Sequence, residues 1–283
     1  MSETVPRACV MGYPVAHSRS PLLHRYWLKA NGLAGTYEKA EVTAEDFPAF
    51  LQTLRARGYR GGNVTVPHKE AAFRIVGRHD AAAAAIGAVN TVWHEGDRLV
   101  GGNTDAYGFA AHLDASAPGW VERVRRAVVL GAGGAARAVV HALLERGVDV
   151  ALVNRSPARA HEVAAHFSDR PRAHARGELA PLMAGADLLV NATSLGMAGR
   201  PALDLDLERL KAGAVVYDLV YVPLETALLR SARQRGHQAI DGLGMLLHQA
   251  VPGFARWFGV TPTVTSELRA LVESDIRTTA GAA

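Results

Sequence analysis

Two side chains in the first third of the chain are suited to moving a proton, Lys69 and Asp105, and each stands among amides and hydroxyls. Lys69 ends the run Asn63-Val64-Thr65-Val66-Pro67-His68-Lys69. Strand alternation puts Asn63 and Thr65 on one face, with Lys69 in the helical turn that follows. A cation near a helix N-terminus opposes the helix dipole, so its presence there calls for a reason; an exposed, incidental lysine is the plainer alternative. Gly87-Ala88-Val89-Asn90-Thr91 and Asn103-Thr104-Asp105 add an amide and a carboxylate in small or apolar surroundings, although Asp105 also suits a turn or a helix cap. Ser18 and Ser20 precede Pro21. Two hydroxyls at a helix start can hold a carboxylate, or Ser20 can be a simple N-cap with Pro21 at N1.

A second set of residues is built for phosphate. Gly131-Ala132-Gly133-Gly134-Ala135-Ala136-Arg137 follows the apolar run Ala127–Leu130 and opens a stretch with helical periodicity. Strand, glycine turn and helix make a G-x-G-x-x-G/A pattern a dinucleotide signature. Gly131 permits the turn, Gly133 lets backbone N–H groups approach a pyrophosphate, and Ala136 keeps helix and strand close. The phosphates would lie on the positive end of the helix dipole. The next strand, Val148–Val153, leads into Asn154-Arg155-Ser156-Pro157-Ala158-Arg159, with no carboxylate where an NAD site usually has one. Arg155, with Arg159 nearby, suits a ribose 2′-phosphate, so the expected cofactor is NADP. Ser156 and Pro157 also suit an N-cap and N1 pair, and both readings can hold together.

The elements that must position these residues alternate along the chain. Strands are expected at Arg7–Gly12, Thr36–Val42, Gly62–Val66, Val148–Val153, Asp187–Asn191, Ala214–Leu219 and His237–Ile240. Helices are expected at Pro21–Asn31, Ala44–Arg57 and from Pro67 onward, with Ala81–Ala85 also helical. Ala88–His94 and Arg98–Asn103 form a hairpin around Glu95-Gly96-Asp97, and the chain is helical from Gly244. This alternation gives an α/β protein with parallel sheets. Two domains follow: residues 1–103, mostly parallel α/β, for substrate, and residues 104–243, a Rossmann domain for NADP. A helical tail, 244–283, packs back on the first.

Composition narrows the function classes. The 283 residues are 49% hydrophobic and 20% charged, as expected for a globular protein with a sizeable core. The net charge of +4 is scattered, so no nucleic-acid partner is expected. A modest positive balance favours anionic substrate and cofactor. Cys9 is the one cysteine and lies in an apolar run, so it is expected to pack and not to react. The twelve histidines show no metal-binding spacing, so no metal is expected. No signal peptide or membrane span is evident, so a cytoplasmic protein is expected; a monomer or a homodimer is expected, and the sequence does not fix which.

Taken together the motifs resemble the shikimate dehydrogenases. The resemblance rests on Gly12-Tyr13-Pro14 with His17-Ser18-Arg19-Ser20-Pro21, on the Asn63–Lys69, Gly87–Thr91 and Asn103–Asp105 runs, and on the glycine loop with Asn154-Arg155-Ser156. Asn191–Met197, Tyr217-Asp218-Leu219-Val220-Tyr221 and Asp241–Ala250 complete it, in order and over nearly the whole chain. It implies reversible, NADPH-dependent reduction of 3-dehydroshikimate to shikimate on the route to chorismate and the aromatic amino acids. It further implies that Ser18 and Ser20 hold the substrate carboxylate, and that Thr65, Lys69, Asn90, Asp105 and Gln249 hold its hydroxyl and keto oxygens, with Tyr221 nearby. Thr193, Ser194, Leu219 and Gly242 would line the NADP side. His68 and Gly77 depart from the family pattern, the first toward altered substrate preference and the second toward a looser cofactor contact. Hydride delivery to a ketone builds charge on oxygen, which Lys69 can neutralise as general acid with Asp105 orienting it. The alternatives are a quinate/shikimate dehydrogenase of relaxed specificity using NAD, a non-catalytic NADP-binding regulator, and an oxidoreductase of folate one-carbon chemistry.

Overall fold

The structure is a computed structural model that describes residues 5–280. The chain divides into two compact units: residues up to Asp105 with Leu246–Val272, and Ala106–Met245 with the residues from Glu273 onward. The crossings thus fall two residues beyond 103 and 243, and the segment from Glu273 groups with the second unit instead of the first. In chain order the elements are β1 (Arg7–Gly12), α1 (Ser20–Ala30), β2 (Thr36–Glu41), α2 (Phe47–Gln52), β3 (Gly61–Val64), α3 (Lys69–Ile75), β4 (Arg78–His79), α4 (Ala81–Ile86), β5 (Thr91–Glu95), β6 (Arg98–Gly102) and α5 (Asp105–Ser116). There follow α6 (Trp120–Arg123), β7 (Arg126–Leu130), α7 (Gly134–Leu144), β8 (Asp149–Val153), α8 (Pro157–His166), β9 (Arg172–His174), α9 (Leu179–Ala184), β10 (Leu188–Asn191), β11 (Val215–Asp218), α10 (Ala227–Gln234), β12 (Gln238–Ile240), α11 (Leu243–Phe258) and α12 (Ser266–Ala280).

The first unit carries a six-stranded sheet ordered β2-β1-β3-β5-β6-β4. Only β5 runs against the rest, antiparallel to both β3 and β6, because the tight turn after Glu95 reverses the chain. The strand expected over Gly62–Val66 stops at Val64: the Thr65 N–H still reaches Met11 O at 2.9 Å, but His68 N–H turns back to Thr65 O at 2.9 Å. The helix expected over Ala44–Arg57 shortens to Phe47–Gln52, and Thr53 Oγ1 bonds back to Ala49 O at 2.7 Å. One core cluster gathers Cys9, Met11, Phe47, Leu51 and Val64. Burial pushes the Cys9 thiol well up, so it packs there as an apolar group. In the other part of the core, His24 stacks with Tyr37 and Phe254, the Trp257 ring lies tilted against it, and Trp257 Nε1 donates to Val92 O at 3.0 Å. The helix α11 therefore returns to complete the first sheet's core.

The second unit is a six-stranded parallel sheet ordered β12-β11-β10-β7-β8-β9. The order reverses at β7, the doubly wound arrangement whose switch point binds nucleotide at the carboxyl ends of the strands. Its core includes Val128, Leu189, Val216 and Leu229. β9, with three residues, and β4, with two, were too short to leave a periodic signal in the sequence. Among the described residues no helix is long and apolar enough to cross a membrane.

His24 is fully buried, and desolvation holds its imidazole down at about 3 against a weaker opposing pull from Asn63. The folded state excludes a proton that the unfolded chain takes up below about 6.5. Stability from His24 is therefore complete above that value and is lost as pH falls toward 3. We expect His24→Phe, which keeps the ring stack, to remove up to about 1.4 kcal/mol per pH unit from the loss of stability across that acidic window, read as a flatter fall in melting temperature. Parallel melting-temperature profiles for the two proteins would exclude His24 as a source of acid sensitivity.

Candidate active site

In the first unit the polar residues meet around one amide. Lys69, the first residue of α3, extends Nζ to Asp105 Oδ2 at 2.5 Å, and the two side chains are only 16% and 7% exposed. The other carboxylate oxygen, Oδ1, accepts from Asn90 Nδ2 at 2.8 Å. The same amide nitrogen lies 3.0 Å from Thr104 Oγ1 and 3.3 Å from Gln249 Oε1. Asn90 Oδ1 accepts from Thr104 N–H at 2.8 Å and Thr91 Oγ1 at 2.9 Å. The Asp105 N–H goes to Asn103 Oδ1 at 3.0 Å, so Asn103 serves the start of α5 and the Asp105 carboxylate stays free of capping. The dipole penalty on a cation at the start of α3 is offset by this carboxylate.

The network continues to the serines. Thr91 Oγ1 accepts from Asn63 Nδ2 at 3.2 Å, and Asn63 Oδ1 accepts from the Tyr37 hydroxyl at 2.6 Å. Ser20 also hydrogen-bonds Tyr37, whose phenol is held far above its usual value by burial. Ser18 Oγ donates to Ser20 Oγ at 3.3 Å. Neither serine is the N-cap of α1: Arg19 holds that position, with Ser20 and Pro21 at the first helical residues. Thr65 lies at the end of β3, beside β1, and is half-buried. His68 turns away from Lys69: its ring stacks on Phe47 at 4.3 Å and its Nε2 lies 2.7 Å from Val42 O. Gly77 lies in this unit too, lining a surface cleft with Arg55, Arg78 and Arg98.

In the second unit a cleft of about 300 Å³ is lined by Gly131, Asn154, Arg155, Thr193 and Ser194 together with Arg176, which no sequence motif marks. Gly131 has φ +111°, and its N–H donates to Val153 O at 2.9 Å. A Cβ at Gly133 would point into open space at the start of α7, where no side chain caps the helix. Ala132 is buried, Gly134 begins α7 and Ala135 follows it. Ser156 is the N-cap of α8 but its side chain makes no capping bond, and Asn154 Nδ2 donates to Ser156 O at 3.1 Å. Arg159 is turned to Glu162 at 2.5 and 2.6 Å and does not line the cleft. An open glycine cradle, a bare helix N-terminus and guanidinium groups without a lining carboxylate fit a phosphorylated dinucleotide.

Buried polar bonds behind Thr193 hold the neighbouring strand ends, while Leu219 and Gly242 do not line this cleft. Asp218 Oδ1 accepts from Asn191 Nδ2 at 2.9 Å and Val220 N–H at 3.0 Å, while Oδ2 accepts from Thr226 Oγ1 at 2.7 Å. Asn191 Oδ1 in turn accepts from Thr193 N–H and Oγ1 at 3.0 and 2.7 Å. Burial holds the Asp218 carboxyl above its usual range despite these three donors. Leu219 and Gly242 meet directly: a Cβ at Gly242 would lie 2.0 Å from Leu219 O, so only glycine fits. Tyr221 belongs to this unit, on the segment after β11. Asn63, Tyr37 and the Asn191–Asp218 pair were not assigned roles from sequence, although Asn63 had been marked by strand alternation.

The chain is similar to known proteins over nearly its whole length. Residues 10–92 match the shikimate dehydrogenase substrate binding domain, and residues 120–198 match shikimate / quinate 5-dehydrogenase. The chain is 56% identical over 276 residues to a shikimate dehydrogenase (NADP(+)) of Methylocella silvestris, covering 98% of this chain and 99% of that one. A Thermus thermophilus shikimate 5-dehydrogenase solved with NADP(H) and shikimate is 39% identical, with a TM-score of 0.82 over 96% of this chain and 99% of that one. A Corynebacterium glutamicum quinate dehydrogenase solved with NAD is 30% identical, with a TM-score of 0.86 over 95% and 99%.

Asn90 supplies a partner to a buried carboxylate oxygen and to the Thr104 N–H. Asn90→Ala should therefore cost at least about 1–3 kcal/mol. That lowers the melting temperature by about 2–4 °C per kcal/mol in a protein of this size. An unchanged melting temperature, read by calorimetry, would contradict this geometry.

Proposed function

The chain belongs to the shikimate dehydrogenase family, and on that premise we propose that it reduces 3-dehydroshikimate to shikimate, reversibly and with NADPH, using Lys69 and Asp105 as the catalytic pair. The observation that carries the assignment of roles is the Lys69–Asp105 contact at 2.5 Å inside a wall of amides and hydroxyls. Lys69 donates its proton to the keto oxygen as negative charge develops there, and its neutral amine takes the proton back in the reverse direction. Asp105 orients the ammonium and accepts a hydrogen bond from the neighbouring substrate hydroxyl. Asn90, Thr65 and Gln249 supply donors and acceptors to the remaining ring oxygens, and Ser18 and Ser20 bind the carboxylate. Tyr221, on the segment after β11, is the remaining substrate-side residue of this reading.

The cleft of the second unit would hold NADPH, which would supply the hydride. There the glycine turn and the start of α7 take the pyrophosphate, and Arg155 takes the 2′-phosphate, with Asn154 and Ser156 beside it. Thr193, Ser194, Leu219 and Gly242 form the opposite side of that binding surface. The fold is shared with a quinate dehydrogenase bound to NAD, so the fold does not choose the cofactor. Arg155 in a cleft without a lining carboxylate favours the phosphorylated one. Arg159, engaged by Glu162, acts on the cofactor only through the charge it leaves at the start of α8. His68, packed on Phe47, has no direct part in substrate choice.

Lys69→Ala should lower kcat by about 10²–10⁴, the usual worth of general acid–base help, while KM changes much less. Steady-state rates with 3-dehydroshikimate test this, and near-normal turnover would remove Lys69 from the mechanism. Arg155→Ala should raise KM for NADPH by about tenfold to a hundredfold and leave KM for NADH nearly unchanged. Equal effects on the two cofactors would undo the assignment of Arg155 to the phosphate.

A further inference from the structure

The strands β8 and β9 are parallel neighbours in register, with Val153 opposite His174 at their carboxyl ends. Arg155 stands two residues past the end of β8, and Arg176 stands two residues past the end of β9. Adjacent strands lie about 4.8 Å apart, so the two arginines leave the sheet side by side at the nucleotide-binding edge. Both line the same cleft, which has no acidic residue in its lining. Both are exposed, and among the described residues neither guanidinium has an ion-pair or hydrogen-bond partner.

The turn that carries Arg176 is held in place without using that arginine. Glu178 accepts from Ala175 N–H at 2.8 Å and pairs with His174 Nδ1 at 2.9 Å. The carboxylate nearest in sequence is thus occupied, and Arg176 keeps its charge available. Arg159, the second cation that sequence spacing suggests, is drawn to Glu162, which Arg137 also contacts at 3.2 Å. A phosphate monoester carries about −1.5 to −2 charges at neutral pH, which one guanidinium leaves half matched.

We infer that Arg176 is a second specificity-determining residue of the cofactor site, pairing with Arg155 across the ribose 2′-phosphate. This rests on the assignment of the cleft to NADP and adds a residue that lies outside the Asn154–Arg159 motif. The test is calorimetric titration of the intact protein, without turnover, using adenosine 2′,5′-bisphosphate and AMP. Arg176→Ala should weaken the bisphosphate by about tenfold to a hundredfold and change AMP by less than about twofold. Arg176→Lys should fall between, since it keeps the charge and loses the planar fork. Equal weakening of both nucleotides would mean that Arg176 stacks on adenine, and no weakening of either would mean that it does not reach the ligand; each overturns the inference. Loss of discrimination between the two nucleotides in the unsubstituted protein would instead overturn the cofactor assignment itself.

Discussion

A cation at the first residue of a helix, mostly out of water, is stable only beside an opposite charge. The first unit is organised around that requirement. Asp105 answers Lys69 with one oxygen, and its second oxygen then needs a donor of its own. Asn90 meets that need, which fixes the orientation of its amide and leaves its carbonyl oxygen facing Thr91 and Thr104. The same logic passes outward through Asn63 and Tyr37 to the serines, each bond setting which way the next group must point. The strand ends and short helix starts of the first sheet exist at the right places because β1, β3, β5 and β6 are neighbours in it.

The second unit solves the opposite problem. Its two cleft arginines carry charge that no side chain among the described residues neutralises, while its backbone contributes the positive end of α7. The first unit holds paired charge among amides and hydroxyls, and the second leaves unpaired charge beside bare backbone N–H groups. The buried Asn191–Asp218–Thr226 bonds serve the second unit as the amides serve the first, tying adjacent strand tips so that Thr193 and Leu219 are held by main-chain and side-chain bonds together.

Much of this was legible in the sequence, and the exceptions have physical causes. The glycine turn, Arg155 and the Lys69 and Asp105 runs stand at the ends of buried strands, where apolar periodicity stops abruptly and polar residues become conspicuous. Arg176 was missed because β9 is three residues long and leaves no periodic pattern to mark its end. Arg159 has a helical spacing that suits the phosphate, but the same spacing puts Glu162 one turn away, and the nearer charge takes it. Ser20 looked like an N-cap because serine before proline usually is one; the chain instead enters the helix one residue early, at Arg19. The boundaries between units lie inside α5, α11 and α12, where a continuous helical pattern conceals them.

The wall of amides also limits how such a protein can diverge. Asn90, Thr91, Thr104, Asn63 and Tyr37 satisfy one another, so altering any one strands a buried partner, and a lineage drifting by single substitutions meets a barrier at each of them. Ser18, Thr65 and Lys69 are half-buried, at the margin of that mesh. Ser18 and Thr65 carry less of the structure, so substitutions there disturb it least. Directed evolution toward other ketones should sample that rim and leave the amides as found.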